Sequence, residues 1–146
     1  MNEINFYYRK KRYGWLSNFE RAKQVVNGAV YPTNEHYYQS MKTNDLDIWE
    51  WIRNAPSPYL AMVVGRGLRK KEIGDDWDEI KVEVMLKGLR AKFTQNADLR
   101  EKLLATGDAV IHEDSPTDML WGKKGKDMLG KLLMRVREEI KGEEGI

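Results

Sequence analysis

Apolar positions in the second half of the chain recur at helical spacing. The clearest stripe predicts an amphipathic helix over residues 128–140, because positions three and four apart lie on one helical face. Its apolar members are Leu129, Leu132, Leu133, Val136 and Ile140. A second stripe predicts the longest internal helix over residues 77–94, with Asp75 or Asp76 as its N-cap.

Three shorter helices are predicted from capping residues at their ends. Asn, Ser and Asp side chains can accept hydrogen bonds from free amides of a first helical turn, and glycine suits the left-handed position after a last turn. The predicted helices are 45–53 after Asn44, 58–64 after Ser57, and one that follows Asn96 and ends at Thr106-Gly107.

The strand signals are few and short. Asn27-Gly28 lies between apolar β-formers and predicts a two-residue hairpin, because both turn positions need a positive φ. Residues 4–8 and 109–111 are also β-prone. The pattern therefore predicts a mainly α, multihelical fold of one domain over residues 1–146, with a small β-hairpin element near the N-terminus.

The hairpin leads into a helix that opens with Thr33 as its predicted N-cap. Glu35, Gln39 and Lys42 follow at i, i+4 and i+7, so they are expected to share one face. An acid, an amide and an amine on one face suit the wall of a polar site. The alternative is that Glu35 only complements the helix dipole and Lys42 is solvated. His36 lies off this face and is expected to be structural.

Composition limits the classes of function. The chain has 146 residues, 41% hydrophobic and 33% charged, with a formal net charge of +2. These values indicate a globular protein and give little support for nucleic-acid binding through charge alone. There is no cysteine and there are only two histidines, so disulfides, thiol catalysis and cysteine-based metal sites are excluded and a zinc site of the usual type is not expected. The absence of an apolar span and of a signal-peptide pattern predicts a cytoplasmic protein.

A late loop, residues 113–126, carries an acid and an aromatic side chain three positions apart, Asp118 and Trp121. A carboxylate beside a flat ring suits recognition of a base or a sugar. The alternative is that Asp118 caps a local turn and Trp121 fills the core. Trp77, at the start of a helix, is by itself best interpreted as a core anchor, and the lysines and glycines of residues 122–130 lack P-loop spacing.

Glu35 and Asp118 together suggest one reaction class. Two carboxylates beside an anomeric carbon can cleave a glycosidic bond through an oxocarbenium-like transition state. Glu35 at a helix N-terminus is expected to stay ionised and to stabilise cationic charge or activate water. We therefore expect one cleft that holds Glu35 and Asp118, with Trp77 and Trp121 as stacking surfaces.

Short motifs in a fixed order resemble one known family over residues 6–137. They are YG with SNF at 13–19, PTNEHYYQ with Lys42, KFTQN at 92–96, LL with TGD at 103–108, E-x-SP-x-D with WG at 113–122, and LGKLLMRVR at 129–137. This ordered set is similar to the NADAR (YbiA-like) family. Two departures stand out: Asp127 occupies a position where the family often has Asn, and Lys81 one where Arg is common.

The resemblance implies a mainly helical YbiA-like fold and an N-glycosidase. The bond cleaved would join a ribose-phosphate or ADP-ribose moiety to a heterocycle, as in pyrimidine intermediates of riboflavin biosynthesis, NAD-derived substrates or ADP-ribosylated guanine in DNA. No cofactor is implied. A non-catalytic module that binds ADP-ribose or ADP-ribosylated nucleic acid is the alternative. The site residues carried over are Glu35 and Asp118 as catalytic groups, with Asn18, Phe19, Gln39, Lys42, Trp77, Trp121 and Gly122 as substrate-binding groups.

Overall fold

The computed structural model describes residues 2–145, which contain six α-helices and four short strands. No helix in this range is both long and apolar enough to cross a membrane. The strands are β1 (Glu3–Phe6), β2 (Gln24–Val26), β3 (Ala29–Tyr31) and β4 (Val110–Glu113). The helices are α1 (Asn34–Ser40), α2 (Leu46–Arg53), α3 (Pro58–Arg66), α4 (Trp77–Gln95), α5 (Ala97–Ala105) and α6 (Met128–Glu143).

Two compact units divide the described chain. One comprises Arg21–Lys92, and the other joins the residues up to Glu20 with those from Phe93 onward. The division falls in the last turn of α4. The single-domain organisation stays a prediction.

The Arg21–Lys92 unit begins with the predicted hairpin. Strands β2 and β3 pair antiparallel, with Val26 opposite Ala29. Asn27 and Gly28 have φ angles of 50° and 83°, the positive values that a two-residue turn requires. The hairpin delivers the chain to Thr33, whose hydroxyl accepts from the His36 amide at 3.1 Å and caps α1. Both predictions are confirmed.

Helix α1 is buried at every position from Asn34 to Ser40. Helix α4 approaches it closely through Gly88, since a Cβ there would lie 2.1 Å from Asn34 Oδ1. Asn34 Oδ1 in turn accepts from Gln24 Nε2 of the hairpin at 2.9 Å. A short polar helix therefore lies inside its unit because its polar groups find partners there.

The second unit is built on a parallel pair of strands. Strand β1 pairs with β4 from Glu3–Val110 to Phe6–Glu113, and α6 packs against β4. All five residues of the predicted apolar stripe of α6 are buried. Arg137, also buried, donates through Nη1 to Thr106 Oγ1 at 3.0 Å and to the Ala109 carbonyl at 2.8 Å.

Several predicted boundaries were wrong, and each has a local cause. Helix α1 ends at Ser40, so Lys42 lies beyond it and does not continue a helical face from Gln39. The cap of α2 is Asp45 instead of Asn44, because the Asp45 carboxylate accepts from the amides of Asp47 and Ile48. Helix α6 runs through Gly142 to Glu143, since the glycine keeps helical geometry.

Candidate active site

The Arg21–Lys92 unit contains a buried carboxylate, Glu35, in the first turn of α1. Glu35 is only 7% exposed, and its Oε2 accepts from Gln39 Nε2 at 2.7 Å. The i, i+4 spacing within one helix brings these two side chains together, as the sequence predicted. An amide donor at this distance stabilises the ionised carboxylate in an environment that would otherwise disfavour a charge.

Lys42 lies close to this carboxylate although it is outside the helix. Burial lowers the pKa of Lys42, the charge of Glu35 opposes that shift, and the cations Arg66 and Lys81 lower the pKa further. The ammonium also lies 5.8 Å from the ring centre of Tyr38. Lys42 is therefore partly buried among charged groups, and the alternative in which it is simply solvated does not hold.

Trp77 begins α4 and is 8% exposed. Its ring packs against Tyr38 with 5.1 Å between ring centroids. The backbone fixes its place, because Gly74 donates to the Lys42 carbonyl at 2.8 Å and Trp77 donates to the Gly74 carbonyl at 3.1 Å. This packing agrees with Trp77 as a core anchor, which orients Tyr38 beside Lys42.

His36 is structural, as predicted. It is fully buried, its Nδ1 lies 2.8 Å from Thr33 Oγ1, and its Nε2 lies 2.9 Å from the Ala55 carbonyl. Burial lowers the pKa of His36, more than the bond to the Ala55 carbonyl raises it. The neutral ring ties the first turn of α1 to the segment after α2.

In the second unit, Asp118 organises the late loop. Its Oδ1 accepts from the amides of Leu120 and Trp121 at 2.9 and 2.8 Å, while its own amide donates to Ser115 Oγ at 3.0 Å. This is the turn-capping arrangement raised above as the alternative. The other carboxylate oxygen, Oδ2, makes no hydrogen bond to any residue in the range 2–145, so it remains available to a ligand.

The remaining predicted binding residues of this unit lie in its loops. Trp121 is partly buried, and Gly122 is buried with its amide 3.2 Å from the Asp118 carbonyl. A Cβ on Gly122 would lie 2.6 Å from that carbonyl, so only glycine fits. Asn18 is 9% exposed, and the amide of the partly buried Phe19 donates to Ser17 Oγ at 3.1 Å.

Glu113, at the end of β4, did not emerge from the sequence as a candidate. The pKa of Glu113 is raised to about 7, first by burial and then by three neighbouring aspartates, Asp118, Asp127 and Asp114. The Ser115 amide, which donates to Glu113 Oε2 at 2.8 Å, acts in the opposite direction. The sequence does place an acid, Glu113, two positions before Ser115. The composition of the loop, however, does not indicate that this acid is buried.

The two departures from the family pattern have local partners. Asp127 adopts the left-handed conformation with φ 51°, which Asn and Asp tolerate. His112 Nδ1 donates to Asp127 Oδ2 at 2.5 Å, and the Glu113 amide donates to Asp127 Oδ1 at 3.2 Å. Lys81 pairs with Asp78 at 3.0 Å. The charge of Asp127 is thus directed at His112 and the end of β4.

The candidate residues fall into two groups, one in each unit. Glu35, Gln39, Lys42 and Trp77 lie within Arg21–Lys92. The other unit holds Asn18, Phe19, Asp118, Trp121 and Gly122. A single cleft that combines the two groups stays a prediction.

Comparison with known proteins gives the family. The chain matches the NADAR domain over residues 5–141. It is 44% identical over 141 residues to the N-glycosidase YbiA of Escherichia coli strain K12, covering 94% of this chain and 88% of that protein. It is 40% identical over 145 residues to the N-glycosidase Npun_R5314 of Nostoc punctiforme, covering 94% and 92%. The chain belongs to the NADAR family, and the predicted enzyme class, a hydrolase of N-glycosyl compounds, is confirmed.

Two further matches concern the fold and the wider family. The NMR structure of Escherichia coli YbiA superposes with a TM-score of 0.89 at 43% identity, covering 98% of this chain and 87% of that one. The predicted mainly α, multihelical fold is therefore confirmed. A riboflavin biosynthesis protein of Vibrio vulnificus, VVA0006, is 38% identical over 141 residues, which are 94% of this chain but 38% of that protein.

Glu113→Gln is expected to stabilise the protein above about pH 7 and to change its stability little below pH 4.5. Folding raises the pKa of Glu113 from its ordinary 4.5 to about 7, so the wild type loses stability as the pH rises between these values. The gain above pH 7 should be on the order of 1–2 kcal/mol, because partial exposure screens the effect.

Thermal unfolding at pH 4.5 and at about pH 8 measures this difference, with the exposed Glu101→Gln of α5 as the control. The control should change the unfolding temperature equally at both pH values. Equal shifts at both pH values for Glu113→Gln would contradict the raised pKa of Glu113.

Proposed function

We propose that the protein hydrolyses the N-glycosidic bond between a phosphorylated ribose, as ribose phosphate or ADP-ribose, and a heterocycle. The observation that carries the proposal is the buried Glu35 carboxylate, held by Gln39 Nε2 at 2.7 Å and adjoined by the partly buried Lys42. The names of the relatives, N-glycosidase and riboflavin biosynthesis protein, support the same reaction class. We also propose a cytoplasmic location.

The proposed chemistry is hydrolysis at the anomeric carbon. The C1′–N bond breaks with its electron pair leaving on nitrogen, and the positive charge that develops spreads over C1′ and the ring oxygen. Glu35, as an anion, stabilises that charge and accepts a proton from the attacking water, whose oxygen bonds to C1′. The departing nitrogen takes up a proton from solvent, and Asp118 stays the second proposed catalytic residue.

Positive charge around Glu35 supports a substrate that carries phosphate. Lys42, Arg66 and Lys81 interact electrostatically, and neither Lys42 nor Arg66 forms an ion pair within residues 2–145. Lys81 is paired with the exposed Asp78. The positive charge of Lys42, Arg66 and Lys81 favours an anionic ligand such as the phosphate of a ribose or the diphosphate of ADP-ribose.

Glu35→Gln should reduce turnover by about 10²–10⁴-fold while the protein still folds and binds, because the amide keeps the shape but neither carries charge nor accepts a proton. Turnover is measured by mass spectrometry of released ribose 5-phosphate, ADP-ribose or free base. The substrates are riboflavin-pathway phosphoribosylaminopyrimidines, NAD and ADP-ribosyl-guanine DNA. Glu83→Gln, an exposed change on α4, is the control.

Undiminished turnover by Glu35→Gln would remove Glu35 from the mechanism. Tight binding of ADP-ribose by the wild type without any turnover would favour the non-catalytic module.

Lys42→Met should raise KM for a phosphorylated substrate by about tenfold or more, since a charge-assisted contact to phosphate is lost. The KM for the same compound after phosphatase treatment should change much less. Lys87→Met, which removes an exposed lysine bonded to Asn27, serves as the control. Equal effects on the phosphorylated and dephosphorylated compounds would argue against a phosphate near Lys42.

A further inference from the structure

We propose that Gly65 is a positioning residue for the Glu35 carboxylate and acts through Gln39. This inference rests on the proposed function, in which Glu35 is the reacting carboxylate. It concerns a residue of α3 that is not among the groups assigned to the reaction above.

Gly65 is buried in the last turn of α3 and leaves room for the side chain of Gln39. A Cβ at position 65 would lie 2.1 Å from Gln39 Oε1, 2.7 Å from Cδ and 2.8 Å from Cβ. All three separations are far inside van der Waals contact. The carboxamide of Gln39 therefore occupies the space that any side chain at position 65 would need.

The carboxamide is held on its other edge by Glu35. Gln39 is 3% exposed, and its Nε2 donates to Glu35 Oε2 at 2.7 Å. Its Oε1 has no hydrogen-bond partner among the described residues. A buried carbonyl without a donor is unfavourable and calls for an explanation. The reverse orientation would direct Oε1 at the carboxylate, so the charge of Glu35 selects the orientation and Gly65 provides the space for it.

A second glycine contacts α1 and shows how general packing differs from this arrangement. A Cβ at Gly88 of α4 would meet Asn34 Oδ1 and the ring of Tyr37, and Gln39 is not among its nearest atoms. Gly88 therefore brings α4 close to the helix, whereas Gly65 contacts Gln39, a side chain that binds Glu35. A substitution at Gly65 should disturb Glu35 specifically.

The experiment compares Gly65→Ala with Gly67→Ala, two residues further along the same segment. Position 67 is exposed and its nearest contact is 3.3 Å, so Gly67→Ala should retain the wild-type kcat within about twofold. In Gly65→Ala the carboxamide can move away, whereas the 2.8 Å contact with Gln39 Cβ also requires α3 to shift slightly from α1. Its kcat on a riboflavin-pathway phosphoribosylaminopyrimidine should fall by about tenfold or more, with little change in KM.

The pH profile separates positioning from loss of stability. Once Gln39 is displaced, the ionised Glu35 loses a donor, so the acidic limb of kcat against pH should move to higher pH in Gly65→Ala. Lys42, whose charge also acts on Glu35, is unchanged in every variant. Gly88→Ala should lower the unfolding temperature without moving this limb.

Gln39→Met keeps the length of the side chain and removes the amide, so it should reproduce the loss of kcat and the shifted limb. In that background, Gly65→Ala should have little further effect on kcat. The proposal is overturned if Gly65→Ala retains kcat as Gly67→Ala does, or if its acidic limb of kcat against pH stays at the wild-type position. It is also overturned if Gly65→Ala lowers kcat equally in the wild type and in Gln39→Met.

If Gly65→Ala does not fold, Gln39→Met tests the proposal in its place. A wild-type pH profile of kcat for Gln39→Met then refutes the proposal. The underlying function fails separately, by full activity of Glu35→Gln. Loss of activity in Glu35→Gln with a normal Gly65→Ala would leave the function intact and refute only the role of Gly65.

Discussion

The hydrogen bond from Gln39 to Glu35 is the constraint on which the Arg21–Lys92 unit depends. A carboxylate that is 7% exposed is unfavourable unless donors and cations surround it. The structure supplies Gln39 Nε2 at 2.7 Å and Lys42 beside it. It also holds the start of α1 in place, through the Thr33 cap and through the contact of His36 with the Ala55 carbonyl. The other elements of the unit thus supply partners for the polar groups of a short, buried helix.

Features set by local rules could be predicted from the sequence. The Asn27-Gly28 turn, the Thr33 cap and the buried stripe of α6 each depend on residues within one or two turns of each other. For the same reason the Glu35–Gln39 pair was predictable, since i, i+4 spacing alone brings the two side chains together. The structural role of His36 followed from its place off that face.

Features set by tertiary contacts could not be predicted. The parallel pairing of β1 with β4 joins segments more than 100 residues apart, and no local pattern specifies it. Helix α1 ends at Ser40, so Lys42 lies outside it. The tertiary structure of the unit nevertheless places Lys42 near Glu35. The raised pKa of Glu113 arises from burial and from three aspartates, and the space at Gly65 only becomes visible once α3 lies against α1.

The family motifs contain residues with different tasks. Arg137 and Gly122 are engaged by neighbouring backbone or side chains and stabilise the second unit, as does the pair of His112 and Asp127 outside the motifs. Asp118 does so through Oδ1 and keeps Oδ2 for a ligand. Glu35, held by Gln39 and close to Lys42, is the buried carboxylate at which we propose the chemistry.

The central claim is that water attacks the anomeric carbon of a phosphorylated N-riboside. It is tested most directly by a single turnover in ¹⁸O-labelled water, quenched with borohydride so that the released sugar aldehyde is reduced before it exchanges oxygen. The account predicts one ¹⁸O atom in the sugar product for each base released, with unlabelled base. Release of base with an unlabelled sugar, or no release from any phosphorylated N-riboside, would contradict it.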